Sequence, residues 1–449
     1  MTTGLDSVRS KSSELMPGLI DDLKSMVGHA SVAFPGFPSE PVDAMRAAVV
    51  DLLRRSGVED VRELDLGAGH PSVFGTVPGP KDAPTVLLYA HYDVQPAPKE
   101  QGWDTEPFVA TVGDDGRIYG RGAADDKSGI IIHAGALQVF GGNPPVNVKV
   151  LIEGEEETVS HLGPYVRSHP EMFQADVFVI ADMGNMRAGE PALTTTLRGN
   201  AVCDVTVRSL DHPAHSGIFG GAAPDALLAM IKLLSRLHDD DGALAVPGLH
   251  GYQWTGAEPD ESDFVEASGM VDGAELMGSG TLGSRLWSKP AASVIGIDAP
   301  SVDKASNVVL PEARARISMR VAPGGNADTE LDKLMAFLKE QAPWGVEVDV
   351  ERVRTSFPFA ADLEGPAAKA ATEAFGEAYG QTVGLIGSGG SIGLVSTLSE
   401  VSPDAEVLLF GAEDVAKAKI HASNESVDPA EIEHLVVAEA MLMEKLASR

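Results

Sequence analysis

Four short runs of near-continuous apolar, β-prone residues punctuate the chain: Thr85–Ala90, Val148–Ile152, Val177–Ala181 and Val407–Phe410. Runs of this length without alternation predict strands of a parallel sheet covered on both faces. Val73–Val77 is a further strand candidate, and Phe108–Gly122 reads as a hairpin turning at Asp114, Asp115 and Gly116. Helical spacing of apolar positions marks Leu5–Val27, Pro41–Arg55 and a closing helix from Pro429 to about Leu446, with the turn FPGFPSEP between the first two. Near Ala192 the texture changes. LTTTLRGNAVCDVTVRS alternates apolar and polar positions, as an antiparallel sheet does. Helical spacing follows in APDALLAMIKLLSRLHD, then strands at Ala291–Gly296 and Arg314–Val321, a helix at Thr329–Gln341 and a strand at Val346–Val353. The α/β pattern resumes after about Phe359 with the helix Pro366–Tyr379. The pattern predicts an α/β domain, mostly parallel sheet with helices on both faces, made of residues 1–192 and 358–449, with an α+β domain of residues 193–357 inserted between them.

Composition narrows the class. The chain has 449 residues, 43% of them hydrophobic and 22% charged, which is ordinary for a globular protein with a large core. A net charge of −32 argues against nucleic acid or an anionic membrane surface as partner, because those are held by clustered Lys and Arg. The single cysteine, Cys203, can form no internal disulfide, which favours a reducing compartment or leaves the chain indifferent to redox state, and reads as a buried structural thiol. MTTGLDSVRSKSSELMPG lacks the apolar stretch of a signal peptide, and no run of eighteen apolar residues occurs. A cytoplasmic enzyme-sized protein is expected.

The chemistry sits where the apolar runs stop. Thr85–Ala90 ends in His91, with Asp93 two places on and its side chain on the same side of an extended chain. A carboxylate so placed can hold an imidazole in one tautomer. GRGAADDKSG brings Asp125 and Asp126 to the start of a helix, where acidic residues are favoured by the dipole. Val148–Ile152 runs into EGEEE with Glu155, Glu156 and Glu157; Val177–Ala181 runs into Asp182; and His421 follows the GAED loop after Val407–Phe410. Parallel strands put their carboxyl ends on one edge of a sheet. Imidazoles and carboxylates gathered there suit zinc, manganese or cobalt and lack the thiolates of a structural zinc site. Two metals can be held if one carboxylate bridges them.

GSGGSIG, Gly387–Gly393, lacks the ending of a phosphate loop and has Ile392 where a dinucleotide loop needs its third glycine. It does satisfy GxSxG. The rival reading is a serine hydrolase with Ser391 as nucleophile, Glu413 or Asp414 as orienter and His421 as base.

Together HYDVQP, WDTEPF, GRGAADDKSG, EGEEE, the Asp182 strand end and KIHASNE, in this order along nearly the whole chain, resemble the carnosinase-type branch of the zinc-dependent dipeptidase, aminoacylase and desuccinylase family. The resemblance implies two divalent ions, Zn2+ first and Mn2+ or Co2+ as alternatives. It implies that His91, Asp125 and Asp182 hold one ion and Asp125, Glu157 and His421 the other, with Asp93 orienting His91 and Glu156 as general base. The implied reaction is amide hydrolysis of a dipeptide, with an N-acyl amino acid as the alternative substrate. DHPAHSGIFGG resembles an element of the dipeptidase branch that places His215 over the substrate of a neighbouring subunit, which implies a homodimer formed through the insertion, a lid and dimerisation domain. Arg320 matches the family arginine for the substrate's terminal carboxylate, with Asn307, Gly390 and Ser391 as further substrate contacts.

Overall fold

The computed structural model describes residues 4–448; residues 1–3, which open both the predicted first domain and the stretch read as lacking a signal peptide, and Arg449, which closes the last, lie outside the described residues. A nine-stranded sheet runs Glu59–Leu64, Ser72–Val77, Asn147–Glu153, Thr85–His91, Val177–Ile180, Glu406–Leu409, Ala192–Leu197, Phe359–Ala360, with Gly384–Ser388 also paired to Ala192–Leu197. The strands from Asn147–Glu153 to Glu406–Leu409 are mutually parallel. Thr85–His91 shows why its sequence does not alternate. Val86, Leu88 and Ala90 pack beneath the helices Leu5–Val27, Glu40–Arg55, Lys127–Val139, Pro366–Tyr379 and Pro429–Ala447. Leu87 and Tyr89 face Leu162–Ser168, Pro170–Phe173 and Gly393–Val401 on the other side. A strand covered twice must be apolar at every position.

A four-stranded antiparallel sheet, ordered Ala291–Asp298, Glu312–Val321, Gly199–Arg208, Glu347–Ser356, forms a second layered unit. Ala201, Cys203, Val205 and Val207 point from its central strand to the helices Ala226–Leu234 and Ala327–Glu340. This sheet carries helices on one face, so its strands alternate as the sequence pattern predicts.

Among the element boundaries that differ from the pattern, two have a clear local cause. The alternating stretch after Ala192 is two strands: Ala192–Leu197 pairs within the large sheet, and the chain passes to the second sheet only at Gly199. Thr194, Thr195 and Thr196 look like an exposed face in sequence but are buried, Thr195 Oγ1 donating to the Ile386 carbonyl at 3.0 Å. The helix expected from Thr329 begins at Ala327, because the Asn326 side chain accepts from the Thr329 N–H at 3.0 Å and caps it. Among the described residues no helix is long and apolar enough to cross a membrane.

Candidate metal centre

His91 is the last residue of its strand, and its side chain emerges at the carboxyl edge of the parallel sheet. Its backbone N–H donates to Asp126 Oδ2 at 3.1 Å, tying the strand end to the residue that precedes the helix Lys127–Val139. His91 Nε2 lies 2.9 Å from Asp125 Oδ1 and 3.7 Å from Asp182 Oδ1. Its Nδ1 is 3.1 Å from the Asp93 carbonyl and 3.5 Å from Asp93 Oδ1. Asp93 also reaches across to the neighbouring strand end, where its two carboxylate oxygens accept the backbone N–H groups of Glu156 and Glu157 at 3.0 and 3.1 Å. One residue thus touches an imidazole through its carbonyl, with its carboxylate farther off, and with that carboxylate holds the backbone of a pair of glutamates on the next strand end.

Asp125 is held from the far end of the chain. The N–H groups of Ala124 and Asp125 donate to Glu425 Oε1 at 3.1 and 3.2 Å, and Glu425 Oε2 pairs with Arg121 at 2.6 Å. His421 has a left-handed backbone, φ +61°, a conformation costly for a side-chain-bearing residue and frequent at functional sites. It aims Nε2 to within 3.0 Å of Asp125 Oδ2 and 3.2 Å of Glu157 Oε2. Gln95 donates to that same Glu157 oxygen at 2.6 Å. The two oxygens of Asp125 therefore face two different imidazoles.

Three overlapping groups have ligand atoms within 4.8 Å of one another: His91, Glu156 and Asp182; Asp125, Glu157 and His421; and Asp125, Asp182 and Glu413. Glu413 reaches the cluster through the short parallel pairing of Gly184–Asn185 with Glu413–Asp414, and a Cβ on Gly184 would collide with the Glu413 carbonyl. Burial pushes Asp182 up to about 6, against the hydrogen bond from His91. Burial, then the neighbouring charges, put Glu156 and Glu413 well above the usual carboxylate range. Asp125 is also buried, but the hydrogen bonds of His421 and His91 outweigh burial and hold it below that range. Hydrogen bonds from Asp125 and Glu157 raise His421 to about 10. Carboxylates crowded around two imidazoles, with Glu413 Oε1 buried and unpartnered, form a donor set that fits divalent metal.

A cavity of about 880 Å3 opens from these carboxylates to Arg320, Gly390 and Ser391. His215 and Asn307 are not brought there within one chain. They lie together, Ser216 N donating to the Asn307 carbonyl at 3.0 Å; His215 is exposed and lines a different cavity. Ser391 does sit between a strand, Gly384–Ser388, and a helix, Gly393–Val401, as a nucleophile elbow would. The other members of the serine constellation have different partners: His421 is engaged by Asp125 and Glu157, Glu413 clusters with Asp125 and Asp182, and Asp414 pairs with Arg117 at 2.6 Å. Sequence reasoning missed the supporting roles of Gln95 and Glu425, although both lie inside motifs it quoted, HYDVQP and KIHASNE. It also missed Arg354, which lines the same cavity and carries no motif.

The profile of Peptidase family M20/M25/M40 matches residues 87–445. The cysteinylglycine-S-conjugate dipeptidase of Corynebacterium striatum is 40% identical over 83% of this chain and 84% of its own length, and the Beta-Ala-His dipeptidase of Rattus norvegicus is 28% identical over 86% and 83%. The fold matches that of the di-peptidase Dug1p of Saccharomyces cerevisiae with a TM-score of 0.85 at 23% identity, over 100% of each chain. Human carnosine dipeptidase 1 gives 0.82 at 25% identity, over 99% of each. The chain belongs to peptidase family M20/M25/M40 and is a metallopeptidase.

Proposed function

We propose that this metallopeptidase hydrolyses the amide bond of dipeptides with two divalent cations, one held by His91, Asp125 and Asp182 and the other by Asp125, Glu157 and His421. The observation that carries the reading is the pair of distances from Asp125: Oδ1 to His91 at 2.9 Å and Oδ2 to His421 at 3.0 Å, the arrangement of a bridging carboxylate. The names of the relatives, dipeptidases for cysteinylglycine conjugates and for Beta-Ala-His, support the substrate class. Zn2+ is the first candidate for the ions, with Mn2+ and Co2+ as alternatives the same donors accept.

Such ions supply Lewis-acid polarisation of the scissile carbonyl and a lowered pKa for water. Glu156 takes a proton from the attacking water and delivers it to the departing amine nitrogen. Asp93 keeps His91 in one tautomer and fixes the backbone from which Glu156 and Glu157 project. Arg320, with Gly390 and Ser391, binds the substrate's terminal carboxylate at the other end of the cavity. His215 and Asn307 act from a neighbouring subunit, and the inserted unit, which starts at Gly199 rather than residue 193 and runs to about residue 357, serves as lid and dimerisation domain in a cytoplasmic homodimer.

The test is a panel of dipeptides and N-acyl amino acids assayed before and after dialysis against a strong chelator, with Zn2+, Mn2+ or Co2+ restored singly. Dipeptide hydrolysis lost on chelation and regained with metal is the expected result. Hydrolysis that survives chelation but is abolished by an active-serine phosphonate would replace this reading with the Ser391 one, and turnover confined to N-acyl amino acids would move the substrate class.

A further inference from the structure

The face of the second sheet opposite its helices carries a row of arginines, and only part of that row has counter-charges of its own. Asn200 is registered opposite Arg320 on one neighbouring strand, and Val202 opposite Arg354 on the other. Residues two apart on a strand share a face, so Arg320 and Arg354 project on the same side as Asn200, away from Ala201 and Cys203 in the helix-covered core. Farther along this face Asp204 pairs with Arg316 at 2.6 Å and with Arg314. Arg320 and Arg354 have no carboxylate partner among the described residues. Both line the cavity that holds the carboxylate cluster, and so does Asn200. Burial, then the charge of Arg354, lowers the Arg320 pKa, and burial, then Arg320, brings the adjacent Arg198 down to about 10. Arg198 spends its hydrogen bonds on backbone carbonyls of Gly389 and Arg285. In a chain of net charge −32, one end of one cavity thus gathers guanidinium groups that repel each other.

A single substrate carboxylate on Arg320 leaves Arg354 uncompensated. We propose that Arg354 forms a second anion subsite beside Arg320, and that the enzyme favours dipeptides whose carboxy-terminal residue carries a side-chain carboxylate, aspartate or glutamate. The inference rests on the reading that Arg320 takes the terminal carboxylate, since the side chain of that same residue then lies next to it. The planar fork of Arg354 donates two parallel hydrogen bonds to a carboxylate and offers no acceptor to a neutral amide.

The experiment compares kcat/KM for Ala-Glu with that for its neutral isostere Ala-Gln, in the wild-type enzyme, Arg354→Gln and Arg354→Lys. The wild type is expected to prefer Ala-Glu by about tenfold to a hundredfold, the equivalent of one charged hydrogen-bonded contact. The difference should reside in KM. Arg354→Gln brings the ratio to near one, and Arg354→Lys retains part of it. A wild-type ratio near one, or a ratio unchanged in Arg354→Gln, overturns the proposal while leaving dipeptide hydrolysis intact. If neither peptide is cleaved, the dipeptidase reading falls. The subsite is then decided by calorimetric binding of N-acetylglutamate against N-acetylglutamine to the wild type and Arg354→Gln: a preference for the dianion that the substitution removes sustains it, and equal binding overturns it.

Discussion

The Glu156 backbone N–H donates to Asp93 Oδ1 at 3.0 Å, so the residue whose carbonyl lies 3.1 Å from His91 Nδ1 also sets the position of the proposed base. Replacing Asp93 with Ala removes the acceptor of both glutamate N–H groups and the carboxylate 3.5 Å from His91 Nδ1, while the carbonyl of residue 93 stays beside the ring. Metal affinity or activity should fall by about tenfold to a hundredfold, the usual cost of losing a carboxylate behind a metal-bound histidine. Metal content after gel filtration, measured beside turnover, checks this. Unchanged values for both would mean that His91 and the glutamate pair are held by something other than the Asp93 carboxylate.

Glu156 and Glu157 are adjacent in the chain, yet the two should fail differently. Glu157 shares a group with Asp125 and His421, whereas Glu156 shares one with His91 and Asp182. Glu156→Gln should lower kcat by about 10²–10⁴-fold, the range for a lost general base, with metal content preserved. Glu157→Gln should lose metal. The opposite pattern in metal analysis would exchange base and ligand.

How much of this centre could be read in advance depends on where each residue sits. His91, Asp125, Asp182 and His421 were legible because each follows a feature that sequence displays, an apolar run that stops or a glycine approach to a helix. The division of labour between Glu156 and Glu157 came from the family resemblance alone, since three consecutive glutamates look alike in sequence and Asp93 accepts from the backbone of both. Glu425 was invisible as a support because its partner, Asp125, is 300 residues away in the chain. Arg354 owes its place in the cavity to the register of two strand pairings, and an exposed arginine on an alternating strand looks like surface charge. The buried threonines at 194–196 misled for a related reason: the pattern records polarity and cannot record which sheet a strand joins.

Stability should fall with rising pH through a pair outside the metal centre. His133 Nδ1 is 2.8 Å from Glu439 Oε2 and its Nε2 is 2.9 Å from the Tyr89 carbonyl, all within the core. Burial favours the neutral ring, but the charge and hydrogen bond of Glu439, with the carbonyl, outweigh burial and raise the His133 pKa. The folded state then holds a proton that the unfolded chain releases. The pair's contribution is whole below the unfolded value of about 6.5 and is lost as pH rises through the folded one. Breaking such a pair costs about 3–5 kcal/mol. The melting-temperature gap between the wild type and Glu439→Gln should therefore be wide near pH ~6 and narrow near pH ~9. A constant gap would mean that His133 stays neutral throughout.

His215 lines a cavity separate from that of the carboxylates, so the proposed shared site requires a second subunit. His215→Ala and Glu156→Gln chains should each be inactive as homodimers. In an exchanged dimer of the two, one site combines an intact Glu156 with an intact His215, so an equal mixture should regain about a quarter of wild-type activity. Subunit exchange followed by an assay reads this directly, and absence of rescue in verified mixed dimers removes the neighbouring subunit from the site.

Glu413 gives the sharpest test of whether the cluster was built around cations. Its Oε1 is buried without a partner, and its carboxyl group shares a 4.8 Å cluster with Asp125 and Asp182. With no cation between them, Asp182 and Glu413 repel Asp125, which its two imidazoles keep ionised, or take up protons; with one, each becomes a source of attraction. A carboxylate that faces the ions should therefore matter in opposite senses in the two states. Glu413→Gln relieves crowding in the metal-free protein and weakens the metal-bound one. Bound metal stabilises a folded protein by about 2.7 kcal/mol when its concentration is a hundredfold above Kd, and by less as Kd rises. Calorimetric melting with and without chelator should thus show a smaller metal-dependent shift in Glu413→Gln than in the wild type, with the metal-free variant melting no lower than the metal-free parent. Equal shifts in both proteins would place Glu413 outside the influence of the ions and leave its buried, unpartnered oxygen in need of another explanation.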